Sequence, residues 1–308
     1  MIRALPVLAL LAAPALAEVP RVVADTPVTH SLAAQVMLGL GTPDLLLDPG
    51  ADPHHAALRP TQAQALARAG LVIWTGPGLT PWLSGPIEAL ATGALLDLGA
   101  ANGLHRQEFR DAALLDDHTD TDHDHDHDHA DDTDPHLWLD PANAALWVET
   151  IAAQLALLDP DNADRYAANA GHASADIAAL SADLAQTLAS AGGTGLVMFH
   201  DAYGYFATAF GLNILGTITR GDAAAPGAAR LTALRTALAG SRGGSATICL
   251  FPEANHPQDL VALIAEGTDL RIGAPLDPAG VMQTPGPTLY AQTLRALARA
   301  IADCAAGS

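Results

Sequence analysis

Pro160–Ser190 reads PDNADRYAANAGHASADIAALSADLAQTLAS. Its apolar positions are Tyr166, Ala170, Ala173, Ile177, Leu180, Leu184 and Leu188, spaced by three or four residues throughout. That period places them in one stripe along one helix. Its 31 residues at 1.5 Å each would span roughly 46 Å, long for a globular helix. The other reading is two helices broken near Gly171. The segment divides two stretches of like pattern. Strand-like runs at Val22–Ala24, Leu45–Leu47, Leu71–Trp74 and Leu95–Leu98 precede it. Runs at Leu196–His200, Ile214–Ile218, Thr247–Phe251 and Leu270–Gly273 follow it. Helical stretches lie between most of them, and strand–helix alternation predicts parallel α/β sheets. The expected fold class is α/β: two similar-sized lobes, each a mostly parallel four-stranded sheet flanked by helices, joined by one long connecting helix. The expected domains are an N-terminal lobe over 18–158, the connecting helix over 159–190 and a C-terminal lobe over 191–308. A helix of this length would act as a stiff rod rather than a hinge.

The 308 residues are 50% hydrophobic and 16% charged, enough apolar material for full cores. Acidic residues number 34 against 14 basic, a formal net charge of −20. General nucleic-acid binding needs clustered cations, so this balance argues against it. Every basic residue is Arg. The absence of Lys excludes a P-loop lysine, a Schiff-base lysine and a Ser-Lys dyad.

Met1–Ala17 reads MIRALPVLALLAAPALA. Arg3 forms a positive start, Ala4–Leu16 a short apolar run, and Ala15-Leu16-Ala17 a small-x-small cleavage site. Residues 1–17 are therefore expected to be a secretory signal peptide, with Glu18 the mature N-terminus. The run is shorter than the ~20 residues that a hydrocarbon core requires. No cysteine stands at the cleavage site, which argues against a lipid anchor. The chain has two cysteines, Cys249 and Cys304. In an oxidising compartment they most simply make one disulfide.

Asp116–Asp134 breaks the alternation: ten of its 19 residues are Asp and five are His. With no apolar face it reads as a mobile surface loop. His118, His123, His125, His127 and His129 are candidate weak, exchangeable metal sites, because imidazole suits Zn, Cu and Ni and a flexible chain loses entropy for each ligand it fixes. Three other histidines stand out by location. His54 lies beyond a strand in LLLDPGADPHH, His136 follows the acidic segment in DPHLWLDP, and His200 ends a strand in LVMFHDAYGYF. Ligands of open α/β sheets bind beyond the carboxyl ends of strands. Asp140 and Pro141 make a good helix start just after His136. Three imidazoles drawn from two lobes could converge on a Zn²⁺ ion. Spacing alone equally allows each to be a cap or a surface residue. Asp201 could orient His200 or cap the next helix. Glu253, on the same expected rim, reads as structural. His30, His105 and His256 read as surface or capping residues, and the four tryptophans as packing residues.

GADPHH (50–55) with LRP (58–60), HLWLDP (136–141), FHDAYGYF (199–206) and LDPAG (276–280) resemble the zinc-specific periplasmic solute-binding proteins of bacterial ABC importers, in the cluster A-I metal-binding family. The Asp/His-rich segment and the placement of the two cysteines are similar as well. The resemblance runs from about Val22 to the C-terminus. It implies two α/β lobes joined by one long helix, with metal between them. Carried over by position, it implies His54, His136, His200 and Asp277 as metal ligands. His54 rather than His55 matches the family position. Asp277 matches a carboxylate that supplies the fourth ligand in some relatives and gives way to water in others. The manganese branch has a carboxylate where this chain has His200, and Mn²⁺ prefers oxygen ligands.

The resulting expectation is a periplasmic, monomeric, non-enzymatic carrier of Zn²⁺. Its implied partners are an inner-membrane permease and its ATPase, with a periplasmic zinc chaperone as a further partner. Neutral imidazoles imply that affinity falls as pH drops through about 6.5. A secreted zinc hydrolase is the competing class, because three His with an open position is also a catalytic pattern. Against it, the chain has no HExxH. A manganese or iron carrier of the same fold, and a metal-buffering adhesin, are the remaining alternatives.

Overall fold

The computed structural model describes residues 19–109, 133–219, 226–240 and 247–307. The expected signal peptide lies outside the described residues. So does the Asp/His-rich segment up to residue 132, with His118, His123, His125, His127 and His129.

The N-terminal half runs β1 (Val22–Ala24), α1 (Pro27–Val36), β2 (Asp44–Leu45), α2 (Pro60–Arg68), β3 (Leu71–Trp74), α3 (Ser84–Leu90), β4 (Ala94–Asp97) and α4 (Pro141–Leu158). After α5 (Ala163–Leu188) come β5 (Gly195–Met198), α6 (Gly204–Phe210), β6 (Asn213–Thr217), α7 (Ala228–Gly240), β7 (Ile248–Leu250), α8 (Asp259–Ala265), β8 (Arg271–Ile272) and α9 (Leu289–Ala306). The first sheet has the order β2-β1-β3-β4 and the second β6-β5-β7-β8, so one topology is used twice. All pairings within both sheets are parallel. The eight expected strands are all present, most shortened or shifted by a residue or two. Sequence hydrophobicity extends past the last ladder hydrogen bond, so strand ends are its least certain feature. Central strands β3 and β5 are buried along their whole length, as parallel strands covered on both faces must be.

The connecting helix is continuous. A 3₁₀ turn at Pro160–Asn162 leads into α5, whose 26 residues correspond to about 39 Å. Gly171 does not break it and faces open space. All seven residues of the apolar stripe are buried. They pack against α4, α9 and α1 and belong to one core that reaches from Val22 to Cys304. The rod is thus the middle of a shared core.

Local chemistry sets the helix starts beside the site. Thr26 and Thr29 form a capping box ahead of Pro27. Asp140 accepts from the Ala142 amide at 2.9 Å ahead of Pro141. Asp25, fully buried beyond β1, accepts from the amides of Thr26 and Thr75, both at 2.8 Å. Burial pushes its carboxyl above the ordinary range, opposed by those bonds and one from Thr29. Asp25 thereby fills the crevice between β1 and β3.

Cys249 of β7 and Cys304 of α9 form a disulfide across 55 residues. A closed loop of that size contributes about 4 kcal/mol in the chain-entropy model. The double variant Cys249→Ser/Cys304→Ser is expected to fold but to melt several degrees lower. Thermal denaturation with and without reductant checks this, and a wild-type melting temperature indifferent to reductant would contradict it.

Candidate metal centre

Three loops bring three imidazoles together. His54 lies in the loop between β2 and α2. Its amide donates to Asp52 Oδ1 at 2.9 Å, and Trp82 Nε1 donates to the neighbouring Pro53 carbonyl at 2.7 Å. His136 begins the 3₁₀ turn Leu137–Leu139 that leads to α4. His200 follows β5. In the second sheet β5 lies between β6 and β7, so the connections leaving β5 and β7 diverge there. This is the switch point where open α/β sheets bind ligands.

One nitrogen of each of His54, His136 and His200 lies within 4.8 Å of the others. Ring centroids are 5.4 Å apart for His54–His136, 6.1 Å for His54–His200 and 5.3 Å for His136–His200. The side chains are largely hidden, at 9%, 2% and 8% exposure. Two of the rings are oriented by carboxylates. His136 Nδ1 is 2.8 Å from Asp134 Oδ1, which also accepts the His136 amide at 2.9 Å. His200 Nδ1 is 2.5 Å from Glu253 Oε1. A carboxylate at Nδ1 fixes the proton there and puts the lone pair on Nε2, as in carboxylate–histidine–zinc triads.

Burial, with His136 and His200 close by, pushes His54 down to about 2. A lowered imidazole value means that the ring is neutral wherever pH exceeds it. On that count His54 loses less to proton competition than a free imidazole would. Three imidazoles suit a borderline-soft divalent ion.

Asp277 lines the same cavity but does not belong to the three-ligand group. Its Oδ1 accepts the Val281 amide at 3.0 Å and its Oδ2 the Met282 amide at 2.9 Å. The turn it holds carries Val281, whose carbonyl accepts the Gly50 amide from the other lobe at 2.8 Å. Burial raises the Asp277 carboxyl, and the amide bonds oppose the shift.

Glu253, read from sequence as structural, orients a candidate ligand, whereas Asp201 was the residue weighed for that role. Glu253 comes from the loop after β7, and a bridge to Leu276 aligns it. It also accepts from Tyr203 Oη at 3.1 Å. The only sequence signal was its place at the end of a strand beside β5. His105 pairs with the cap residue Asp140 at 2.9 Å, consistent with a capping role. His256 instead lines the cavity, stacked on Phe199 at 4.7 Å between ring centroids. Trp138 does more than pack, because its Nε1 donates to the Pro278 carbonyl across the lobes at 2.9 Å. At Gly204 a Cβ would strike the Gln107 side chain and come 3.0 Å from Asp134 Oδ2. Glycine there lets α6 approach the support of His136.

The family model described as zinc-uptake complex component A, periplasmic, matches residues 22–304. The chain is 46% identical over 313 residues to the high-affinity zinc uptake system protein ZnuA of Paracoccus denitrificans, covering 95% of this chain and 94% of that one. It is 33% identical over 300 residues to the protein of the same description from Brucella abortus, covering 89% and 88%. A crystal structure of ZnuA matches with a TM-score of 0.74 at 24% identity, covering 92% of this chain and 98% of that one. The periplasmic zinc binding protein TroA of Treponema pallidum matches with a TM-score of 0.73 at 18% identity and the same coverage. These two structures share the fold.

Glu253→Gln removes the charge behind His200 and keeps the shape. Loss of a carboxylate that orients a ligand typically costs about 10- to 100-fold in metal affinity, and a drop in that range is expected here by chelator competition. An unchanged affinity in a variant with a wild-type melt would show that Glu253 plays no part.

Proposed function

The chain belongs to the family of periplasmic zinc-uptake components, and from that membership we propose that it is the periplasmic zinc-binding component of an ABC importer. It captures Zn²⁺ between its lobes and delivers the ion to an inner-membrane permease powered by an ATPase. The observation that carries this reading is the convergence of His54, His136 and His200, drawn from both lobes, within 4.8 Å. In this reading Nε2 of His136 and of His200 face the ion, and His54 completes a three-imidazole set. Asp277 adds negative charge beside the ion and holds the turn that ties the lobes. No bond of the cargo is made or broken beyond coordination, so the protein is a carrier rather than a hydrolase.

The protein works as a monomer exported through cleavage after Ala17, which the mass of the chain recovered from the periplasm tests. A periplasmic chaperone is a further partner, and the His123–His129 run collects zinc loosely for the interlobe site. Deletion of residues 117–132 with no change in transfer rate at low zinc would remove that role.

The ligand assignment has a direct test. With residues 117–132 deleted, which leaves Asp134 in place behind His136, the chain is expected to bind one zinc tightly in competition with a strong chelator. His200→Ala in that background is expected to lose tight binding, because two imidazoles with water hold zinc far more weakly. Tight binding that survives His200→Ala, or that disappears with the loop alone, would overturn the assignment.

A further inference from the structure

The three imidazoles line a chamber of about 450 Å³. A bare ion with one water needs only a few tens of Å³, since a water's share of liquid volume is about 30 Å³. Pockets for small organic ligands begin at about 300 Å³. Among the described residues no fourth ligand joins the His54–His136–His200 group, and the Asp277 carboxylate is held in its own turn by the Val281 and Met282 amides. A tetrahedral ion seated here would direct its fourth bond into the chamber.

The walls define what could fill it. Asp52, Glu253 and Asp277 contribute carboxylates, and no arginine lines the chamber among the described residues. An anionic chelate would find no countercharge, whereas a complex with net positive charge would be attracted. The Phe199–His256 stack, with Leu260 beyond it, forms a flat and largely apolar wall on the second lobe. Asn255 supplies an amide on the same side. Such a wall suits a small planar or aliphatic side chain, and the amide suits a carboxylate or amine at its edge.

We propose that the chamber accepts zinc together with one small amino-acid chelator, as a cationic one-to-one complex in which the chelator occupies the fourth position in place of water. Zinc with a single histidinate, of net charge +1, belongs to this class, whereas zinc citrate, of net charge −1, does not. The proposal rests on the reading of the three histidines as zinc ligands. It adds that the cargo can enter still carrying a ligand.

The experiment is native mass spectrometry of the mature, full-length chain loaded with one equivalent of zinc and titrated with L-histidine or with citrate. Cobalt(II) substitution follows the coordination change by its visible absorption. The expected result is a saturable species of one protein, one metal and one histidine, absent in His200→Ala, with no matching citrate species. Asn255→Trp adds bulk to the chamber wall at a residue other than the three histidines and is expected to weaken histidine uptake by about tenfold or more. Its zinc binding without histidine reports that the variant is folded. Histidine that only strips the metal, or that leaves the cobalt spectrum unchanged, would overturn the proposal, as would equal uptake of citrate. Failure of zinc alone to bind tightly to the wild-type chain would instead overturn the underlying zinc reading, so the two failures are distinct.

Discussion

Two carboxylate–imidazole contacts, Asp134 with His136 and Glu253 with His200, set what the rest of the molecule must do. Each fixes a ring proton on Nδ1 and thereby aims a lone pair from Nε2. The two pairs come from different lobes, so their alignment is a demand on the whole fold. A buried carboxylate is costly unless its hydrogen bonds are satisfied. Here each one bonds both the amide and the ring of its histidine. The three rings are therefore already gathered, and an ion bound among them would call for little rearrangement.

Rigid placement across two lobes follows from the rod and from a few ties near the site. The apolar stripe of α5 belongs to a core continuous with both halves. Close to the histidines, Gly50 bonds Val281, Trp138 bonds Pro278, and the Tyr205 hydroxyl donates to the Asp134 carbonyl at 3.1 Å. Tyr205 also receives the Gln107 amide at 3.1 Å. A helix whose buried side forms the common core cannot swing without exposing that side. Small shifts of the His54 loop and of the Asp277 turn would break a few hydrogen bonds, such as Gly50–Val281 and Trp138–Pro278. Release of cargo by such local shifts is less costly than wholesale opening of the lobes.

The periodic parts of the fold were legible in the sequence. Hydrophobic spacing named all seven buried residues of α5, and strand–helix alternation indicated two parallel sheets. The three histidines were legible as candidates because two of them follow strand ends. Their convergence was not, because it depends on how the two lobes are set against each other. Glu253 was harder still: one carboxylate after a strand carries no periodic signal, and its role appears only once β5 and β7 are neighbours. Asp277 drew notice through family resemblance, whereas its bonds to the amides of Val281 and Met282 come from a turn that pattern does not reveal. His256 was read as a surface or capping residue; α8 starts at Asp259, and that ring lines the cavity.

The central claim is that one zinc ion sits among three imidazoles contributed by both lobes. The most direct measurement is an anomalous-difference map at the zinc edge, from crystals of the mature chain grown with one equivalent of zinc. The account predicts one dominant peak, about 2.0–2.1 Å from a nitrogen of each of His54, His136 and His200. A dominant peak elsewhere, or one bonded to fewer than three of these rings, would contradict it.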